Sequence, residues 1–218
     1  SRGRVAAAGN LACLYVCAGK LADAHKQIRL ASFESFSSPS FRLALADTNA
    51  RALLASKDYA AANLALSASQ NEPQVQLWYR LTSEQTRIEL LLRTRRWPEV
   101  LNVVDACISE ARQAKLQTFL TAFQLAKLEA VLESELRLDV SELPLNESRE
   151  DWPIRLIGGF HATLGLALIR ASLQERGTSH RMRAKRILEG TGDLTAAGHI
   201  ADSSAADASG LFTRVVGL

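Results

Sequence analysis

The sequence predicts an all-α protein in which antiparallel helix hairpins stack side by side into an α-α superhelix. Apolar residues recur every three or four positions through most of the 218 residues, and no stretch shows a sustained alternation of apolar and polar residues. A bulky residue that opens a second helix also recurs at a constant interval, at Leu21, Tyr59 and Trp97. Because one hairpin cannot bury its apolar side alone, this constant interval indicates stacked repeats.

Three predicted hairpins cover the N-terminal half of the chain, near residues 5–36, 41–70 and 75–112. Short polar segments separate their helices, of the length that folds adjacent helices back on each other. Small residues at matching positions let neighbouring helices approach closely, and they include Ala12, Ala24, Ala50 and Ala62. Larger side chains at Tyr15, Tyr59 and Trp97 are expected to fill the space between hairpins.

The C-terminal half keeps the helical period but loses the constant interval between hairpins. A long helix is expected over about residues 115–136, followed by an acidic loop at 139–151. A further helix restarts at Trp152 and is expected to end near Gly177, since Gly commonly follows the last turn of a helix. The adjacent glycines Gly158 and Gly159 lack the Lys-Ser or Lys-Thr of a phosphate loop and predict close helix contact instead.

These segments predict an enlarged irregular unit at 115–177 and a final hairpin at 180–207. We expect all units to belong to a single repeat domain over residues 1–218. The chain begins without Met and ends in what resembles the start of another helix, so we expect it to be a segment of a longer polypeptide.

Composition excludes several classes of partner. With 26 basic and 23 acidic residues the formal net charge is only +3, so direct nucleic-acid binding is not expected. No run approaches the roughly 18 apolar residues of a membrane span, so we expect no membrane partner. An odd count of three cysteines argues against a disulfide framework and predicts a cytoplasmic protein.

Candidate chemistry in the sequence is sparse. Cys13 and Cys17 lie four residues apart on one helix face, a spacing that can hold a metal, but no second pair of ligands is near and we expect no metal and no cofactor. None of the four histidines stands in a recognisable catalytic order with a nucleophile and an acid. The sequence therefore predicts a protein that is not an enzyme.

The hairpin pattern resembles the tetratricopeptide repeat family, which has a Gly at the turn, a bulky residue just after it and Ala deeper in the second helix. The first copy follows this pattern at Leu11, Ala12, Tyr15, Gly19, Leu21, Ala24, Ile28 and Ala31. The second and third copies keep the pattern of sizes, but Lys57 and Arg95 replace the turn Gly. The family's early Trp is absent, and the interval exceeds its roughly 34 residues. The resemblance implies a right-handed solenoid.

The resemblance also implies a binding surface, because in this family the first helices of the hairpins line a concave groove. The matching positions are the candidate partner-binding residues: Cys13, Val16, Cys17, Asp47, Arg51, Leu54, Gln85, Glu89, Leu92 and Arg93. Some members use basic and Asn residues to hold a partner's terminal carboxylate. The corresponding places here are Gly9, Cys13, Thr48, Thr82 and Thr86, so that specialised role is not expected.

The sequence hence predicts a non-catalytic helical repeat module that binds a protein, a peptide or another domain of its parent chain through the concave face. An alternative is the sensor or regulatory region of a multidomain bacterial transcription regulator, in which a small-molecule effector is possible. The sequence leaves both open.

Overall fold

The computed structural model describes residues 2–32, 38–68, 74–134 and 152–202, which form helices without any strand. This confirms the predicted all-α class, whereas the stacking of hairpins into a superhelix stays a prediction. In chain order the helices of these residues are α1 (Arg2–Cys17), α2 (Leu21–Ser32), α3 (Pro39–Ala55), α4 (Tyr59–Ser67), α5 (Leu77–Arg93), α6 (Trp97–Gln113), α7 (Gln117–Glu133), α8 (Ile154–Arg170), α9 (Gln174–Gly190) and α10 (Leu194–Asp202).

The chain divides into two compact units, with the boundary inside α5 between Leu90 and Leu91. In the first unit α1 packs on α2 and α3 packs on α4, while α3 also contacts both α1 and α2. In the second unit each of the helices α6 to α10 packs on the next one along the chain. Helices that are adjacent along the chain thus pack on one another within each unit, and a single repeat domain over residues 1–218 stays a prediction.

Small residues form the centre of the first unit. Ala12 and Ala24 are fully buried in a cluster that joins α1 and α2 to α3, and Tyr15 packs against its edge. Ala50 and Ala62 are fully buried in a second cluster, with Tyr59 at its edge. A buried Ala lets two helix backbones approach closely, and a neighbouring ring covers the space beside it. The structure confirms the predicted burial of these alanines.

One type of turn ends six of the described helices. At the end of α1, the N–H of Lys20 donates to the carbonyl of Tyr15 at 2.8 Å, and the N–H of Gly19 donates to that of Val16 at 3.1 Å. This pair of bonds is the Schellman motif, which requires a left-handed residue just past the helix. The residues with positive φ at the six turns are Gly19, Lys57, Arg95, Lys115, Ser172 and Gly192.

The turn conformation repeats even where glycine does not. Gly19, Lys57 and Arg95 follow one another at the constant interval of the three hairpins and have φ of 70°, 63° and 57°. For a residue with a Cβ, this region is less favourable by about 1 to 2 kcal/mol. The two hydrogen bonds to carbonyl groups and the burial of both flanking helices hold the turn residue at positive φ. This explains how Lys57 and Arg95 can replace glycine.

The structure corrects one predicted helix boundary. The helix that restarts after Trp152 ends at Arg170, with its turn at Ser172, and Gly177 lies inside α9 rather than at a helix end. A Cβ on Gly177 would lie 2.6 Å from the carbonyl oxygen of Gly165, so this glycine allows the backbones of α8 and α9 to touch. The predicted units at 115–177 and 180–207 therefore divide the chain within a helix.

Two further predictions concern the same half of the chain. A Cβ on Gly158 would lie 3.0 Å from Cγ of Leu188, which confirms that this glycine allows close helix contact. The long helix expected at 115–136 is α7. The acidic loop at 139–151 lies outside the described residues.

Replacing Lys57 with Gly is expected to stabilise the protein by about 0.5 to 1 kcal/mol, because Gly adopts positive φ without steric cost. The reciprocal change, Gly19→Ala, is expected to destabilise it by about 1 kcal/mol. Urea unfolding followed by circular dichroism measures both changes. Equal stability of Lys57→Gly and wild type would contradict the assignment of strain to this turn.

Candidate functional site

The first unit contains a cavity between α1, α3 and α5, with a volume of about 160 Å³. Its rim is exposed at Asn10 and Trp78, and its floor is buried at Asp47 and Arg51. Its lining residues are Gly9, Asn10, Cys13, Phe41, Ala44, Leu45, Asp47, Thr48, Arg51, Trp78, Tyr79 and Thr82.

Helical spacing explains why these side chains converge. Residues three, four or seven positions apart lie on one face of a helix. On α3 the lining residues Phe41, Ala44, Thr48 and Arg51 follow this spacing. Gly9 and Cys13 on α1 lie four residues apart, as do Trp78 and Thr82 on α5. Each of the three helices therefore contributes one face to the cavity.

An ion pair forms the floor of the cavity. Nε of Arg51 lies 2.9 Å from Oδ2 of Asp47, one helical turn earlier on α3. The same Nε donates a hydrogen bond to Oγ1 of Thr86 on α5 at 3.1 Å. Asp47 is only 4% exposed and Arg51 only 7% exposed, so both charges are removed from water. A charge buried this deeply is tolerated only when it is paired, and the pair thus fixes both side chains.

The remaining carboxylate oxygen of Asp47 is not satisfied in the same way. Within the described part of the chain, Oδ1 of Asp47 is buried and accepts no hydrogen bond. Burial raises the pKa of Asp47 and outweighs the lowering by Arg51 and Thr86, while the nearby Glu89 raises it further. The cavity therefore has an acceptor at its floor whose desolvation is not compensated by the described residues.

Hydroxyl groups add further acceptor capacity to the cavity. Thr48 donates its hydroxyl proton to the carbonyl of Ala44 at 2.9 Å, and Thr82 donates its proton to the carbonyl of Trp78 at 2.9 Å. A hydroxyl has one proton and two lone pairs. Because both protons are used within their own helices, these two side chains offer lone pairs to a ligand.

Cys13 lies at the wall of the cavity and does not have the character of a nucleophile. A hydrogen bond with Cys17 and burial both raise the pKa of the Cys13 thiol, while Arg51 lowers it by less. A thiol becomes reactive when its pKa is depressed, so the environment here keeps Cys13 protonated. In the described residues no group of three His, Cys, Asp or Glu side chains is arranged to hold a metal ion.

The structure brings together only part of the predicted site. Cys13, Asp47 and Arg51 line the cavity. Glu89 acts electrostatically on Asp47, and Cys17 forms a hydrogen bond with Cys13. Glu89 and Cys17 therefore belong to the surroundings of the floor. Gln85 is fully buried on α5, and neither atom of its amide group has a hydrogen-bond partner in the described residues.

The other predicted site residues lie elsewhere. Val16 and Leu54 are buried in the two core clusters, where their side chains are covered by the helices of the first unit. Leu92 and Arg93 belong to the second unit, where Leu92 is fully buried and Arg93 is half-buried. Burial explains the discrepancy for the three apolar residues, because an apolar position on a first helix can face either a groove or the neighbouring helix.

Sequence reasoning missed the aromatic wall of the cavity. Phe41, Trp78 and Tyr79 all line it, and none of the three belongs to the repeating pattern that identified the hairpins. Gly9, Thr48 and Thr82, which stand at the positions where some members of the tetratricopeptide repeat family hold a carboxylate, also line the cavity. What these three residues offer a ligand depends on the neighbours that the fold supplies.

A pair of histidines forms a separate polar cluster in the second unit. Nδ1 of His161 on α8 lies 2.9 Å from Nδ1 of His180 on α9, so one ring donates and the other accepts. His161 is 3% exposed, and its Nε2 has no hydrogen-bond partner among the residues described. Burial lowers the pKa of His161 to about 4, and the positive charge of Arg183 and the neighbouring His180 add to this effect.

Comparison with known protein families, with curated proteins and with solved structures finds no match to this chain. No helix in the described ranges has the length and apolar character that a membrane crossing requires.

Replacing Arg51 with Met is expected to destabilise the protein by about 3 to 5 kcal/mol, because Asp47 would be left as an unpaired buried charge. The double variant Asp47→Asn with Arg51→Met is expected to lose less stability than Arg51→Met alone, because it leaves no charged side chain at position 47. Urea unfolding at neutral pH measures both losses.

A matched control is Arg96→Met, which removes an ion pair with Glu99 whose side chains are about half exposed. Its expected cost is below about 1 kcal/mol. The single variant Asp47→Asn completes the cycle: if its loss of stability and that of Arg51→Met simply add in the double variant, the two side chains are not coupled.

The histidine pair predicts a specific pH dependence. The folded pKa of His161, about 4, lies below the ordinary value of 6.5. Its stabilising contribution is therefore complete above about pH 6.5 and is lost as the pH falls towards 4, since only the unfolded chain takes up the proton in that interval. Urea unfolding is measured at pH 7.5 and at pH 5. The free energy of unfolding is expected to fall less between these two pH values for His161→Gln than for wild type. Parallel pH profiles would contradict this account.

Proposed function

We propose that this chain is a non-catalytic recognition module that binds a protein, a peptide or another domain of its parent polypeptide through the face formed by α1, α3 and α5. The observation that carries the proposal is the cavity above Asp47. Its floor is a buried ion pair with one carboxylate oxygen that no described residue satisfies. A ligand that donates to this oxygen removes an unfavourable desolvation cost, which favours binding at this place.

The size of the cavity supports recognition of a single small group. A cavity of about 150 Å³ in another protein is large enough to hold a benzene ring. The volume here is about 160 Å³, enough for one amino-acid side chain of a partner. The remainder of a partner would lie on the exposed rim, where Asn10 and Trp78 offer a polar and an aromatic contact.

The chemistry of the lining supports a binding role rather than catalysis. Among the described lining residues there is no histidine, and the only thiol has a raised pKa. An enzyme of this kind would need a nucleophile, a base and a group that orients the base. The lining instead combines apolar walls with a few polar groups at the floor, the usual composition of a ligand pocket.

A second candidate function is the sensor region of a multidomain bacterial transcription regulator. The enclosed volume favours it, because a pocket of this size can also hold a small effector molecule. In either case we propose a cytoplasmic location. It is supported by Cys13, Cys17 and Cys107, which are not joined by disulfides in the described structure.

A filled cavity tests the proposal. A Cβ added to Gly9 would meet only the ring of Phe41, at an ordinary contact distance of 3.6 Å, so substitution here is sterically tolerated. Gly9→Leu is expected to fold and to occupy the cavity, whereas Gly9→Ala leaves most of it open. Alanine also favours the helix by about 0.5 to 1 kcal/mol over glycine, so neither variant should unfold α1.

A mixed library of ring-sized and side-chain-sized compounds, both charged and neutral, is then screened by ligand-observed NMR. Compounds that use the cavity are expected to bind wild type and Gly9→Ala and not Gly9→Leu. The proposal fails if no compound distinguishes wild type from a folded Gly9→Leu.

A further inference from the structure

Three of the polar side chains that line the cavity offer hydrogen-bond acceptors. Oδ1 of Asp47 accepts nothing from the described residues, and the hydroxyls of Thr48 and Thr82 have already donated their protons to their own helices. A ligand with several donors satisfies all three groups at once. A ligand that offers only acceptors would leave them unpaired, at a cost for each.

Two buried carboxylates lie near the floor of the cavity. Asp47 and Glu89 are carboxylates that are 4% and 1% exposed, and both lie near the guanidinium of Arg51. Nε of Arg51 is directed at Asp47 and Thr86, which commits this donor to the fold. An arriving anion would be repelled by the carboxylate of Asp47 in the lining and by that of Glu89 nearby, whereas a cation would be attracted to both.

The walls of the cavity are suited to the same kind of ligand. Aromatic residues make up 6% of the chain, yet Phe41, Trp78 and Tyr79 are three of the twelve lining residues. Aromatic rings attract cations through their quadrupole, and sites that combine several rings hold ammonium groups. Trp78, at 42% exposed, lies at the entrance, where it can also contact the stem of a longer ligand.

We infer that the cavity of the first unit binds an organic ammonium group, held by Asp47 at the floor and by Phe41, Trp78 and Tyr79 at the walls. The inference rests on the proposed function and specifies its ligand. The ammonium group comes either from a lysine side chain of a partner or from a free small amine. Both sources present the same positive charge and N–H donors on an apolar stem, which matches a pocket with apolar walls and an acidic floor.

Three probes of equal length and different charge test the inference: butylammonium, 1-butanol and butyrate. Isothermal titration and ligand-observed NMR are expected to show binding of butylammonium to wild type and to Gly9→Ala, and weaker or no binding of the other two. A capped peptide with a single lysine between glycines distinguishes the sources, since its binding shows that the cavity can take a lysine side chain from a chain. Binding of butylammonium without binding of the peptide would assign the site to a free amine.

Two substitutions separate the contributions of the floor and the wall. Asp47→Asn is expected to weaken butylammonium binding by more than about tenfold, because it removes a charged acceptor. Trp78→Leu is expected to weaken it by about three- to thirtyfold through loss of the cation–π contact. Since Trp78 lies at the exposed rim, this variant keeps its fold and remains informative if Asp47→Asn proves unstable.

The outcomes are distinguishable from those of the proposed function. Preference for butyrate or 1-butanol at a site that Gly9→Leu closes would overturn the ammonium assignment and leave the recognition module intact. Equal butylammonium binding by wild type, Trp78→Leu and Gly9→Leu would show that the amine binds elsewhere and would also overturn it.

Discussion

The ion pair between Asp47 and Arg51 is the interaction on which the first unit's cavity depends. It buries two opposite charges on adjacent turns of α3, and Arg51 extends the pair to Thr86 on α5. Buried charges are tolerated only in a fixed geometry, because any displacement leaves one of them without a partner. Through Thr86 the pair links α3 to α5, and both helices line the cavity. The same burial raises the pKa of Asp47, so that the structural element also provides the chemistry of the site.

Turn geometry is the second constraint, and it acts at the level of the backbone. Six described helices end in the same pair of carbonyl bonds with a left-handed residue, although only two of those residues are glycine. Each turn closes its helix and reverses the chain, which allows the next helix to pack against the preceding one. At Lys57 and Arg95 the fold tolerates a conformation that these residues disfavour, since both flanking helices are anchored by buried side chains. A chain of hairpins can therefore vary its turn residues while keeping its interval.

Glycines allow close backbone contact in the second unit and leave open space in the first. Gly165 and Gly177 bring the backbones of α8 and α9 into contact, so their lack of a side chain serves the interior of the second unit. Gly9 meets only the ring of Phe41 and leaves the cavity of the first unit open. Glycine thus permits tight helix packing where the facing helix presents backbone, and it leaves the cavity open where the facing helix presents the ring of Phe41. Neither the histidine pair nor the cavity matches a local sequence pattern, because each is formed by side chains from different helices.

The sequence by itself determined the helices, the buried alanines and the constant interval between the first three hairpins, because these depend on the period of an α-helix and on local side-chain size. Cys13, Asp47 and Arg51, which the sequence nominated as partner-binding residues, line the cavity, and their role in binding stays a prediction. The tertiary structure decided the rest. Val16 and Leu54 are buried in the core, the turn after α8 lies at Ser172 rather than near Gly177, and Phe41 lines the same cavity as Trp78 and Tyr79. These outcomes depend on which helix packs against each helix face. The local spacing of residues defines the faces of a helix but does not specify the helix that packs against each one.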